Sequence, residues 1–241
     1  MLPSSGINRA KKLDWPKIMD KCRENARDLR LLEFYTAFVL EKNLSIDKVP
    51  FVALDFETTG LNPMSDDIVS IGLVPFDLRR VYCSQAFHWL LRPRQPLAEG
   101  SVVVHGITHS SISKAPDLQR ILGEVLRCLS GKMIVVHYNP IEREFFNRAL
   151  MTRLNEGIRF PVIDTMAIEA SLHRKRIKNF WKRLRGEKPA SLRLANCRQR
   201  YNLPVHQAHN ALADAIATAE LFQAQVAHHY SGSTRLAELW I

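Results

Sequence analysis

The sequence predicts an α/β layer fold built on a mixed sheet, and three observations predict it. Apolar, strand-like runs come first and close together, at 51–56, 67–77 and 81–91. Two shorter ones, 133–137 and 161–165, then alternate with helical stretches, the pattern of a parallel layer. The composition, 46% hydrophobic and 8% aromatic over 241 residues, is that of a chain with a sizeable core, and excludes a disordered or collagen-like one. No apolar run approaches the roughly 18–20 residues of a membrane span. The first dozen residues lack the apolar stretch of a signal peptide, so a cytoplasmic location is expected. Four cysteines, Cys22, Cys83, Cys128 and Cys197, lie far apart without metal-finger spacing and read as reduced thiols.

Taken in order, residues 14–42 read as helical. Asp14 stands as N-cap, Pro16 falls in the first turn, and Ile18, Cys22, Ala26, Leu29, Leu32 and Val39 trace one face. The end of this stretch, Leu31 to Leu40, is apolar around most of its circumference and calls for burial. Packing on the rest of the chain, dimerisation and docking of a protein partner are all open. Pro50 separates it from the strand at 51–56. The strands at 67–77 and 81–91, joined at Leu78-Arg79-Arg80, complete an antiparallel meander. Residues 117–129 form an amphipathic helix, 133–137 a buried strand, 141–150 a helix and 161–165 a short strand. A helix follows from Thr165, and 209–228 is an alanine-rich helix. The domain reading is a helical extension over 1–48, a main domain over 49–230 and a tail over 231–241.

The formal net charge of +10 is unevenly placed. Residues 1–48 carry ten basic and seven acidic groups, and 174–185 carry seven basic and none acidic. The remainder is balanced at 17 of each. A polyanionic partner is therefore suggested by two segments rather than by the whole surface.

The strongest chemical signal is Asp55-Phe56-Glu57-Thr58-Thr59-Gly60, at the end of a buried strand. Residues two apart in a strand share a side, so Asp55 and Glu57 can converge on one hard cation such as Mg²⁺ or Mn²⁺. A bare Asp-x-Glu is more often a solvated strand end; apolar residues before it and Thr-Thr-Gly after it argue for a site. Near the other end, His209 and Asp214 flank a helix start. Asp214 can turn back toward a metal, and His209 can serve as general base. Read alone, the pair serves equally well as a helix cap and a surface acid. Between them, Glu142 falls in the first turn of the helix after the 133–137 strand, where it is a macrodipole partner or a further metal ligand. Glu144 projects from the opposite side of that helix.

These motifs, in this order, resemble the DEDDh 3′–5′ exonucleases, the proofreading-exonuclease (DnaQ-like) family that includes the epsilon subunit of DNA polymerase III. Val104-His105-Gly106-Ile107-Thr108, Asp164-Thr165 and Tyr201-Asn202-Leu203-Pro204 match supporting elements, and the likeness covers roughly 51–228. The middle motif departs: His137-Tyr138-Asn139-Pro140-Ile141-Glu142 stands where the family has His-Asn-x-x-Phe-Asp. The resemblance implies an RNase H-like mixed five-stranded sheet flanked by helices, with the N-terminal helices as an extension. It implies two divalent ions, Mg²⁺ or Mn²⁺, held by Asp55, Glu57, Asp214 and Glu142, with His209 as base. The longer Glu142 side chain moves the fourth carboxylate and can shift preference toward Mn²⁺. Thr58, Thr59 and His105 are expected at the 3′-terminal nucleotide. The implied reaction releases nucleoside 5′-monophosphates from the 3′ end of nucleic acid, single-stranded DNA foremost, with RNA and a polymerase-bound proofreading role as alternatives. A catalytically weak binding module is the rival from another class.

The basic insert, 173–185, lies between the middle and last motifs. Its cations with Phe180 and Trp181 in their midst suit phosphate neutralisation and base stacking. Arg174, Lys175, Arg176, Lys178 and Trp181 are accordingly expected to touch substrate, against the alternative of a solvated helix face around core aromatics.

Overall fold

The computed structural model describes residues 13–38, 41, 43–95, 97, 99–177 and 191–241, with 99 and 174–177 by backbone course alone. Five strands form one mixed sheet: β1 (Phe51–Thr58), β2 (Ile68–Phe76), β3 (Phe87–Leu90), β4 (Met133–Val136) and β5 (Val162–Asp164). Their order is β3-β2-β1-β4-β5. The first three pair antiparallel, and β4 and β5 run parallel to β1. The described helices are α1 (Trp15–Asn25), α2 (Leu29–Ala37), α3 (Glu99–His105), α4 (His109–Ile112), α5 (Leu118–Leu129), α6 (Phe146–Leu154), α7 (Thr165–Ile177), α8 (Leu194–Arg200) and α9 (Ala211–His229).

β1 is central because its residues are apolar on both sides. Phe51 stacks on Phe76 at 5.3 Å and meets Phe222 of α9 at 5.2 Å. On the other face Phe56 meets Phe146 of α6 at 5.7 Å. Trp240 bridges antiparallel to Ile163, and Ile241 exchanges main-chain hydrogen bonds with Val162. The tail thus covers the open side of β5, an edge that would otherwise present unpaired amides.

The single helix expected over 14–42 is two helices. Asp28 caps α2 by accepting from the Arg30 N–H, while Glu156 accepts from the N–H groups of Arg27 and Asp28. The break resets the helical phase. Leu31, Phe34 and Tyr35 therefore face inward, and Leu29, expected on the buried face, is 73% exposed. Both helices join the core that contains α5, and Arg143 lies over the Trp15 ring at 4.7 Å. Among the described residues of the opening segment, Trp15, Met19, Leu31, Phe34, Tyr35 and Phe38 are buried against the rest of the chain.

The strand expected over 81–91 is also shorter. Asp77 accepts from the N–H groups of Arg79 and Arg80 and from the Tyr82 hydroxyl, closing a tight turn. Cys83–Gln85 then form a 3-10 turn, and pairing with β2 resumes only at Phe87. All four cysteines are free. Among the described residues no helix is long and apolar enough to cross a membrane.

Candidate active site

Asp55 and Glu57 alternate with the buried Phe56 on β1, so both project from one face, toward α9. Opposite Asp55 on β2 stands Gly72. A Cβ at Gly72 would come within 2.1 Å of the Ala211 backbone, so only glycine lets the first turn of α9 settle on the sheet there. Asn210 caps that turn by accepting from the Ala213 N–H, and Asp214 then points back at β1. One carboxylate oxygen from each of Asp55, Glu57 and Asp214 falls within 4.8 Å of the others.

Glu142 enters from a third element. The chain leaves β4 with Tyr138 at a φ of 86°, and residues 141–145 wind as a π turn ahead of α6. π turns are rare and concentrate at functional sites. Asp164, at the end of β5, holds the junction: its carboxylate accepts from the N–H groups of Tyr138, Asn139, Met166 and Ala167 and from the Asn139 amide. Glu142 is 1% exposed, and its Oε2 has no hydrogen-bond partner. It acts electrostatically on Asp55 but lies outside the tight group of three. Glu144 is exposed, as its place on the helix requires.

Crowded carboxylates out of water resist ionisation. Burial pushes the Asp55 carboxyl well above its ordinary range, and the charges of Glu142, Asp214 and Glu57 push it further. Burial, then Asp214, raises Glu57 to about 7. Glu142 is raised well above the carboxylate range by burial, with Asp164 adding to it. A group of acids with one buried, unpartnered oxygen is the donor set a divalent, oxygen-preferring cation satisfies, so the residues fit such an ion.

His209 lies in the loop ahead of α9 at a φ of 64°, with an exposed side chain. It reaches Asp214 through its main-chain N–H, 2.8 Å from Oδ2. The imidazole beside Asp214 is that of His206, whose Nε2 is 2.7 Å from Oδ1. His206 is absent from the sequence reading; its spacing from His209 was visible, but only the loop's course brings its ring to the carboxylate.

Thr58 donates its hydroxyl to the Gly60 carbonyl, half-buried at the strand end. Thr59, expected at substrate, is instead fully buried. Its hydroxyl accepts from the Asp67 N–H, so it builds the turn rather than facing outward. His105 sits near Thr58 and His209; burial lowers its pKa, the Thr58 carbonyl opposes that, and His209 reinforces it. Arg174, Lys175 and Arg176 lie on α7, but their side chains are outside the described residues, as are Lys178 and Trp181.

A family model described as Exonuclease (RNase_T) matches residues 52–222. The chain is 30% identical over 178 residues to a DNA polymerase III subunit epsilon-like protein of Rhodobacter capsulatus, covering 73% of this chain and 24% of that one. It is 29% identical over 183 residues to the DNA polymerase III subunit epsilon of Treponema pallidum, covering 76% and 79%. The chain thus spans about a quarter of the first relative and most of the second. The nuclease domain of 3′hExo, a DEDDh family member bound to rAMP, superposes with a TM-score of 0.59 at 16% identity, covering 78% of this chain and 96% of that one. That likeness is one of fold: the RNase H-like mixed sheet flanked by helices.

Proposed function

The chain belongs to the Exonuclease (RNase_T) family, and from that premise we propose that it is a divalent-metal-dependent 3′–5′ exonuclease acting on single-stranded DNA. The observation that carries the reading is the convergence of Asp55, Glu57 and Asp214 within 4.8 Å at the end of β1. Names of the relatives favour DNA, since both are described as DNA polymerase III epsilon or epsilon-like proteins.

Asp55, Glu57 and Asp214 would hold the cation, and the buried Glu142 would supply a further carboxylate. When bound, Mg²⁺ or Mn²⁺ would lower the pKa of the attacking water and offset charge on the leaving 3′ oxygen. The protein's own part is positioning and proton transfer. His209, exposed beside Asp214, would accept the proton of the attacking water; its exposed ring suits a base that engages only when substrate is seated. His206 would orient the Asp214 carboxylate. The Thr58–Gly60 turn and His105 would border the terminal nucleotide. Hydrolysis breaks the P–O3′ bond of the last linkage and releases a nucleoside 5′-monophosphate.

The test is end-labelled single-stranded DNA, duplex DNA and RNA incubated with the protein and Mg²⁺ or Mn²⁺, beside the Asp55→Asn variant. Stepwise shortening from the 3′ end by the wild type, absent in the variant, is expected, with single-stranded DNA degraded fastest. Equal digestion by the variant would show a contaminating nuclease and sink the assignment. Faster digestion of RNA would transfer the reading to a 3′-end ribonuclease.

A further inference from the structure

The charge excess along the sequence lies in residues 1–48 and 174–185, yet the fold gathers arginines from three separate stretches, only one of them in those segments, around one cleft. Arg30 of α2, Arg92 and Arg94 from the segment after β3, and Arg120 of α5 line a cavity of about 770 Å³. Two of these are held by the protein itself. Arg30 pairs with Asp28 at 2.6 Å and donates to the Gln119 carbonyl. Arg94 donates to the Thr152 carbonyl and stands 3.5 Å from Asp117.

The nearby carboxylates are already matched: Asp28 is taken by Arg30, and Asp117, which lines the cleft, is shared between Arg94 and Arg153. Asp117 pairs at 3.0 Å with Arg153, whose side chain is 3% exposed. Arg153 also pairs with Asp67 at 2.7 Å. Arg92 and Arg120 make no side-chain hydrogen bond or ion pair among the described residues and are exposed. The cleft therefore presents guanidinium groups in excess, some oriented and some free. Guanidinium forks match phosphate oxygens, and an open polar cleft of this kind suits a backbone rather than an apolar ligand.

Its place in the fold relates it to the reacting end. The Arg94 N–H donates to the Asp67 carboxylate, and the Asp67 carbonyl accepts from the Thr59 N–H, in the turn that follows Glu57. We propose that this cleft binds the phosphodiester backbone of the substrate strand, away from its 3′ terminus. The proposal rests on the nucleolytic reading above and names a second contact with the same substrate.

The test is fluorescence anisotropy with labelled oligodeoxythymidine in EDTA, so that nothing is cut, across a range of salt. The variant is Arg92→Gln with Arg120→Gln; both side chains are exposed, and circular dichroism checks that the fold is kept. Loss of two phosphate contacts should weaken binding and make the salt slope shallower by about 1.4. Hydrolysis of a p-nitrophenyl ester of thymidine monophosphate, which carries no further phosphodiester backbone for the cleft to hold, should stay at the wild-type rate. Unchanged affinity and slope would overturn the proposal. So would competition by thymidine monophosphate that the double variant abolishes, which would make the cleft a mononucleotide pocket. If the wild type binds with the cleft-dependent slope but cuts nothing, the nuclease reading fails while the cleft stands.

Discussion

Both oxygens of Asp214 are met by donors or partners from its own approach loop, His206 at Oδ1 and the His209 N–H at Oδ2. The two histidines therefore separate by experiment. His209→Ala should lower turnover by about 10²–10⁴-fold, the usual worth of a general base, with Mn²⁺ affinity by calorimetry unchanged. His206→Ala should weaken Mn²⁺ binding by roughly 10–100-fold, because an outer partner that orients a ligand is lost. Reversed effects would exchange the roles. The convergence of Asp55, Glu57 and Asp214 was legible, because chemistry constrains residue type in a short motif. His206 and the inward turn of Thr59 were not, because each depends on where a loop from elsewhere lies. Tyr138 shows the same limit: its left-handed backbone follows from the hydrogen bonds that Asp164 makes across 26 residues.

Elements meet at the site through two devices. Gly72 admits the first turn of α9 against β2, and Gly72→Ala should destabilise the protein by about 1–3 kcal/mol in urea unfolding. Activity should fall further than stability explains, since the helix that carries Asp214 must back away from Asp55. Wild-type activity in this variant would show that the helix is not seated by that contact. The second device is Arg153, which ties the Asp67 carboxylate at the start of β2 to the Asp117 cap of α5. Burial pushes the Asp117 carboxyl up, but Arg153, the Gln119 N–H and Arg94 together hold it below its ordinary range. Arg153→Met leaves two carboxylates without their buried partner and should cost about 3–5 kcal/mol. The strands and the helices α5, α6, α7 and α9 were readable as patterning along the chain. The break between α1 and α2 was not, because Glu156, far along the chain, captures the amides that end the first helix.

At the scale of the molecule, the clustered acids act against the fold when no cation is present. Glu57 has its folded pKa raised from 4.5 to about 7, so the metal-free folded state holds a proton that the unfolded chain has released. Its contribution is present at low pH and is lost as pH rises through that window. The rise in melting temperature on adding Mn²⁺ to EDTA-treated protein should therefore be larger above pH 7 than below pH 4.5, on the two sides of the window that Glu57 sets. An equal rise on both sides would show that the ion binds elsewhere. The sequence alone determined the α/β class, the antiparallel and then parallel succession of strands, the three acids that meet at the end of β1 and the family they resemble. Those depend on residue type and short spacing, which a linear chain displays. Tertiary structure decided which histidine ring touches Asp214, how the opening helices are buried and where arginines from distant stretches collect. Each of these is a meeting of side chains separated along the chain, set by packing around the sheet rather than by local pattern.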